Sequence, residues 1–190
     1  MRTFLFISVI IGLASIAGCR PAAAPVAVSN RPVSINDRPA TNLPLPPAKP
    51  LADMSWTDAG DQVQKLSDLG GRAVILDFWA TNCPPCRQEI PHLNSLIAKY
   101  GADNLQVVGL HVGDDEDRRE IPTFTQTTHL DYPIAFPEDE LSRYVFSDGD
   151  EIPRTLIIDR DGRVIRRFVG FGPSIQKDLD AAVEQAVKTN

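Results

Sequence analysis

The sequence predicts an α/β fold with a central mixed β-sheet flanked by helices, and three observations carry that prediction. An unbroken apolar run, 74–79, is followed by a segment of helical period; a Val-rich alternating run, 105–112, follows that; and the chain closes on two strand-like runs and one amphipathic helix. Val63 to Leu69, ending at Gly70-Gly71, is predicted as a short strand or turn. Val74-Ile75-Leu76-Asp77-Phe78-Trp79 then has the continuous apolar character of a strand buried on both faces. Cys83-Pro84-Pro85-Cys86 opens a helix whose apolar stripe is Ile90, Leu93, Leu96, Ile97 and Tyr100 and whose stop signal is Gly101. Prolines fit a first helical turn because its amides have no intrahelical partner. Leu105 to Val112 is predicted as a strand, and Glu116 to His129 as a helix-like segment interrupted at Pro122. Thr155 to Ile158 and Val164 to Val169 are paired strands around an Asp161-Gly162 turn, and Ile175 to Val187 is the last helix. The expected order is βα, βα, ββα, with no internal repeat.

Composition narrows the function classes. Of the 190 residues 43% are hydrophobic and 23% charged, ordinary for a globular chain, so wholesale disorder is excluded. The net charge of −6 argues against nucleic-acid binding. The one basic cluster, Arg163, Arg166 and Arg167, has no interleaved aromatics and fits a solvated strand face. The N-terminus has a different character: Arg2, then an uncharged stretch from Thr3 to Ala17, then Gly18-Cys19, too short an apolar segment to span a bilayer comfortably. Ile16-Ala17-Gly18-Cys19 resembles the lipobox of a bacterial lipoprotein, which implies cleavage after residue 18 and acylation of Cys19. In the resembling lipoproteins an Asp after the Cys retains the protein at the inner membrane, and Arg20 here points instead to the outer one. Residues 20–50 hold eight of the chain's 16 prolines, a composition that favours extended backbone and builds no core. The expected organisation is a signal peptide over 1–18, a lipidated Cys and Pro-rich tether over 19–50, and a folded domain over 51–190.

With Cys19 acylated, two cysteines remain, Cys83 and Cys86, at Cys-x-x-Cys spacing on a strand-to-helix junction. The chemistry suits that place. Unpaired amides and the positive end of the helix dipole favour thiolate over thiol at the first Cys, and only the thiolate attacks disulfides. Cys86, one turn on, is within reach of the first sulfur and can resolve a mixed disulfide. Cys83 is therefore the expected nucleophile and Cys86 the resolver. A zinc site would need two further ligands, and an inert structural disulfide is the other alternative.

The segment from Asp77 to Pro91, and within it Cys-x-Pro-Cys-Arg-x-Glu-x-Pro, resembles the active-site region of thioredoxin-fold proteins. More narrowly, it is similar to the membrane-tethered periplasmic thiol-disulfide oxidoreductases, the group that includes cytochrome c maturation reductases. The likeness covers residues 51–190. It implies a thioredoxin-like fold and a catalytic Asp77 buried beneath the resolving Cys, whose raised pKa lets it exchange a proton with Cys86. It also implies a Trp79 packed on the active-site loop, a helix-kinking Pro91, and a cis-proline at Pro153 facing the disulfide. Substrate docking falls to Trp79, Pro84, Pro85, Ile152 and Pro153, the Ile152 backbone pairing with an extended substrate. The expected partners are protein disulfides or thiols, an upstream membrane electron donor, and the membrane through the lipid anchor. No nucleic acid, bound cofactor or metal is expected. The expected location is the bacterial cell envelope, facing the periplasm.

Three positions depart from the family pattern. Asn82 replaces the usual Trp before the first Cys, Gly109 stands where thioredoxins carry a Lys near the buried acid, and Arg154 puts a cation after the cis-proline. Arg154 is expected to lower the Cys83 pKa or select acidic partners, or else to be solvated with no role. His92, His111 and His129 are expected to be structural or solvent-facing, and the runs 114–117 and 148–151 to be solvated turns without calcium-loop spacing. The expected activity is that of a reductase. The alternatives are a disulfide donor, or a Cu(I) carrier using both cysteines and a His. Peroxidase action is weaker still, because no Cys has the Thr-x-x-Cys setting.

Overall fold

The structure is a computed structural model that describes residues 51–189. The signal segment 1–18, Cys19 and the tether to residue 50 lie outside the described residues. Seven strands and four helices follow one another as β1 (Ser55–Asp58), β2 (Val63–Lys65), β3 (Ala73–Trp79), α1 (Pro84–Tyr100), β4 (Leu105–His111), α2 (Asp115–Thr127), β5 (Ile134–Pro137), α3 (Asp139–Val145), β6 (Arg154–Ile158), β7 (Val164–Val169) and α4 (Pro173–Lys188). They form one mixed sheet in the order β2-β1-β5-β4-β3-β6-β7. Strand β3 runs parallel to β4 and antiparallel to β6, and β4 runs parallel to β5.

Strand β3 explains why this sheet needs two covers. All seven of its residues are buried. Ala73, Ile75 and Trp79 join Ile90, Leu93 and Leu96 of α1 and Leu179, Val183 and Ala186 of α4 in one apolar cluster. Val74, Leu76 and Phe78 join Trp56, Leu141 and Val145 in the cluster on the opposite face. Each Val, Leu, Ile or Phe among these taken from water contributes roughly 1.5–3 kcal/mol, so both faces hold the strand, and its pattern is continuous rather than alternating. Asp77 is the single polar residue of the strand and falls on the α1 side by the pleat.

Four departures from the sequence prediction concern the half of the sheet beyond β4. Strand β1 was not expected; Trp56 is its one buried residue, so four residues carry no period. Strand β5 and helix α3 were also missed, because Pro133 and Pro137 frame β5 like a loop. Val63 to Leu69 divides into β2 and a 3₁₀ turn, Leu66–Leu69. Helix α2 starts at Asp115 and runs through Pro122 to Thr127 without interruption. Among the described residues no helix is long and apolar enough to cross a membrane.

Candidate active site

Cys83 is the N-cap of α1, with Pro84 and Pro85 in the first turn, and its Sγ accepts the Cys86 N–H at 3.3 Å. The two cysteines form a disulfide. Cys83 is 6% exposed and Cys86 1%, so an incoming sulfur meets Cys83 first. Asn82 and Pro84 beside it are exposed, and Pro85 is half-buried. The Ile152–Pro153 peptide bond is cis. The Ile152 carbonyl oxygen lies 3.8 Å from Cys83 Sγ, which brings β6 and α1 together at the disulfide. The Pro153 carbonyl accepts from Gly170 N–H at 2.8 Å and is thereby occupied within the fold.

Two carboxyls lie under α1. Asp77 is fully buried on β3, in register with Gly109 of β4 and Thr155 of β6. Glu89, also fully buried, is one turn after Cys86 on the inward face of α1 and accepts the Thr155 hydroxyl at 2.7 Å. Burial raises the Asp77 pKa from 3.8 to about 7, against the opposing donation from the Tyr132 hydroxyl at 3.2 Å. Burial and then the Asp77 charge push Glu89 well above its ordinary value, with the Thr155 hydroxyl opposing. Asp77 Oδ1 and Glu89 Oε2 have no protein partner. Asp77, raised to about 7, is equipped to take and return protons near neutral pH, and Glu89 under the same helix resists ionisation in the same direction. Sequence reasoning assigned no role to Glu89 or Tyr132; the Cys86-to-Glu89 spacing of one helical turn was the signal available for the former.

Gly109 has a steric reason. A Cβ there would stand 2.8 Å from Tyr132 Cε2 and 3.0 Å from Trp79 Nε1. In place of a Lys counter-charge, the bare backbone admits the Tyr132 ring, whose hydroxyl reaches Asp77.

Two of the sequence expectations need correction. Arg154 is neither solvated nor aimed at the disulfide: it is 1% exposed, and its guanidinium bonds Val145 O at 2.8 Å, Asp148 and Glu151 over the Phe146 ring. Neighbouring strand residues point to opposite faces, so Thr155 takes the α1 side and Arg154 the α3 side. Trp79 is completely buried, with its ring centroid 5.0 Å from that of Phe124 and 5.3 Å from that of His111, and presents no surface to a docking partner. His92 Nε2 lies 2.9 Å from Asp180, exposed His129 lies 2.7 Å from Asp131, and His111 is buried against Asp117.

A strand-to-helix Cys-x-x-Cys, a cis-proline across from it and a buried acid on the central strand define a thioredoxin-like protein. The AhpC/TSA family profile matches residues 47–167, and the chain belongs to that family. It is 32% identical over 114 residues to a thiol-disulfide oxidoreductase ResA of Bacillus cereus, 60% of this chain and 64% of the relative. It is 30% identical over 132 residues to a ResA of Geobacillus kaustophilus, 70% of this chain and 73% of that one. A crystal structure assigned to a thiol:disulfide interchange protein DsbE from Chlorobium tepidum superposes with a TM-score of 0.62 at 31% identity, over 74% of this chain and 96% of the other. The chain thus spans somewhat less than two thirds of the length of the first of these relatives.

Proposed function

We propose that this protein is a thiol-disulfide oxidoreductase of the bacterial cell envelope that reduces protein disulfides through Cys83 and Cys86. The observation that carries the reading is the Cys83 sulfur at the amide end of α1, beside Ile152–Pro153, with the Asp77 and Glu89 carboxyls beneath the same helix. The reduced protein acts in two exchanges. The Cys83 thiolate attacks one sulfur of a substrate disulfide; a Cys83–substrate disulfide forms and the other substrate sulfur leaves as a thiolate. Cys86 then gives up its proton toward the buried carboxyls and attacks Cys83 Sγ. The mixed disulfide breaks, the second substrate thiol leaves, and Cys83–Cys86 is oxidised by the two electrons the substrate gains. Renewed reduction requires an upstream donor, a membrane protein in this reading. Ile152 offers its backbone to an extended substrate segment, and Pro84, Pro85 and exposed Asn82 border the approach. No bound cofactor takes part. The signal 1–18, acylated Cys19 and tether 19–50 place this domain, 51–190, at a membrane facing the periplasm, a reading supported by the sequence pattern alone.

Equilibration of the full chain against defined thiol buffers, with matched Cys variants, tests the reading. A reductase has a potential near or below about −230 mV, and a value near about −120 mV would mark a disulfide donor instead. Cys83→Ser abolishes turnover of a disulfide-bonded protein substrate, whereas Cys86→Ser accumulates mixed disulfides visible on non-reducing gels; full activity in Cys83→Ser would refute the assignment.

A further inference from the structure

A third buried carboxyl is bound to the residues just before Cys83, and the mechanism above does not use it. Asp117, in the first turn of α2, is 6% exposed, and its own N–H donates to the N-cap Asp114 carboxylate at 2.8 Å. Its carboxylate turns back onto the two residues that lead into Cys83, Thr81 and Asn82. It accepts the Thr81 N–H at 2.9 Å, the Thr81 hydroxyl, and the Asn82 N–H at 3.2 Å. The Thr81 carbonyl accepts from Arg87 Nε at 3.0 Å and Nη2 at 2.8 Å. Both backbone polar groups of Thr81 are thus tied to side chains, in a stretch that has no ladder or helix to satisfy them.

The hub is itself held. His111, 3% exposed at the end of β4, places Nε2 at 2.6 Å from Asp117 Oδ2, and its ring stacks edge-on to Trp79 of β3 and Phe136 of β5. Asp114 and Arg118 of α2 are the other charged groups acting on the pair. Burial holds His111 below its ordinary pKa, against the opposing hydrogen bond and charge of Asp117. Burial opposes ionisation of Asp117, but the donors from Thr81 and His111 outweigh it. Gly113 completes the arrangement: a Cβ there would lie 2.2 Å from Asp117 Oδ2, so only bare backbone lets the carboxylate fold back over the turn.

We propose that Asp117, oriented by His111, is a positioning residue for the disulfide, holding the Thr81–Asn82 turn so that Cys83 Sγ stays at the amide end of α1. The inference rests on the reading of Cys83 as the nucleophile. It makes a prediction of sign. As a bare charge, Asp117 disfavours a nearby thiolate, so its removal by charge alone lowers the Cys83 pKa. As a clamp it keeps the sulfur where helix amides stabilise the thiolate, so its removal raises that pKa.

The test is the pH dependence of iodoacetamide alkylation of the reduced full chain, with the labelled peptide mapped to Cys83, in wild type, Asp117→Ala and Thr81→Val. Both variants raise the apparent Cys83 pKa, by about half a pH unit or more for Asp117→Ala, which is about threefold less thiolate at neutral pH. An unchanged or lowered pKa in Asp117→Ala overturns the proposal. Should that variant fail to fold by circular dichroism, Thr81→Val decides alone, since it removes one hydroxyl donor and no charge; an unmoved pKa there overturns the clamp. A wild-type Cys83 titrating near the free value of about 8.5 overturns the nucleophile reading itself, whereas a depressed wild-type pKa with unmoved variants overturns only the positioning role.

Discussion

Replacing Asp77 by Asn separates the protein's stability curves in a way that follows from burial. Asp77 is 1% exposed, and its carboxyl titrates at about 7 instead of 3.8. A group that holds its proton more tightly when folded stabilises the fold fully below its unfolded pKa, and that contribution is lost as pH rises through the folded pKa. At about 1.4 kcal/mol for each pH unit, the span between the two values amounts to about 4 kcal/mol lost by pH 8. Asn is neutral at every pH. Its oxygen still accepts the Tyr132 hydroxyl, but its amide N–H groups replace an Oδ1 that has no partner, a pH-independent cost of about 1–3 kcal/mol. Asp77→Asn is therefore the less stable protein at pH 4 and the more stable one at pH 8, and the two curves cross between. Glu89, raised in the same direction by burial and then by the Asp77 charge, tilts both curves the same way but less steeply in the variant, which lacks that charge. Equilibrium urea unfolding of the oxidised protein from pH 4 to 8, with a constant denaturant slope as the control, reads this directly. Curves that stay parallel over the whole range would refute the buried-acid reasoning and the proton role built on it.

The steric and buried-cation arguments have their own tests. Gly109→Ala drives a methyl to within 3 Å of the Tyr132 ring, so thermal unfolding shows a loss of about 1–3 kcal/mol; an unchanged melting temperature would mean the ring yields freely. Arg154→Met fills the same space but leaves the Val145 carbonyl without its donor, which costs about 1–3 kcal/mol in urea unfolding. The Cys83 alkylation profile of that variant matches wild type, because Arg154 lies across the sheet from the disulfide; a shifted profile would contradict that placement.

What the sequence alone determined is what neighbours along the chain encode. The apolar run of β3, the helical stripe behind Cys83, the Gly101 stop and the Asp161-Gly162 turn each lie within a few residues of the signal that specifies them, and they appear in the structure near their predicted bounds. The Cys-x-x-Cys needed only a strand end and a helix start to acquire its chemistry. Strands β1 and β5 carried no comparable signal, because each has one buried residue and the two pair with each other across 77 to 81 positions. The surroundings of the disulfide were decided by the tertiary structure. The Tyr132 hydroxyl reaches Asp77 across 55 positions, Thr155 reaches Glu89 across 66, and the Asp117 carboxylate reaches Thr81 across 36. Such contacts satisfy buried polar groups after packing has removed water, and packing is set by which strands lie side by side. The same pleat sends Thr155 toward the acids and its neighbour Arg154 to the other face. A polar residue's part in the site is therefore decided by which face it turns to and what it meets there.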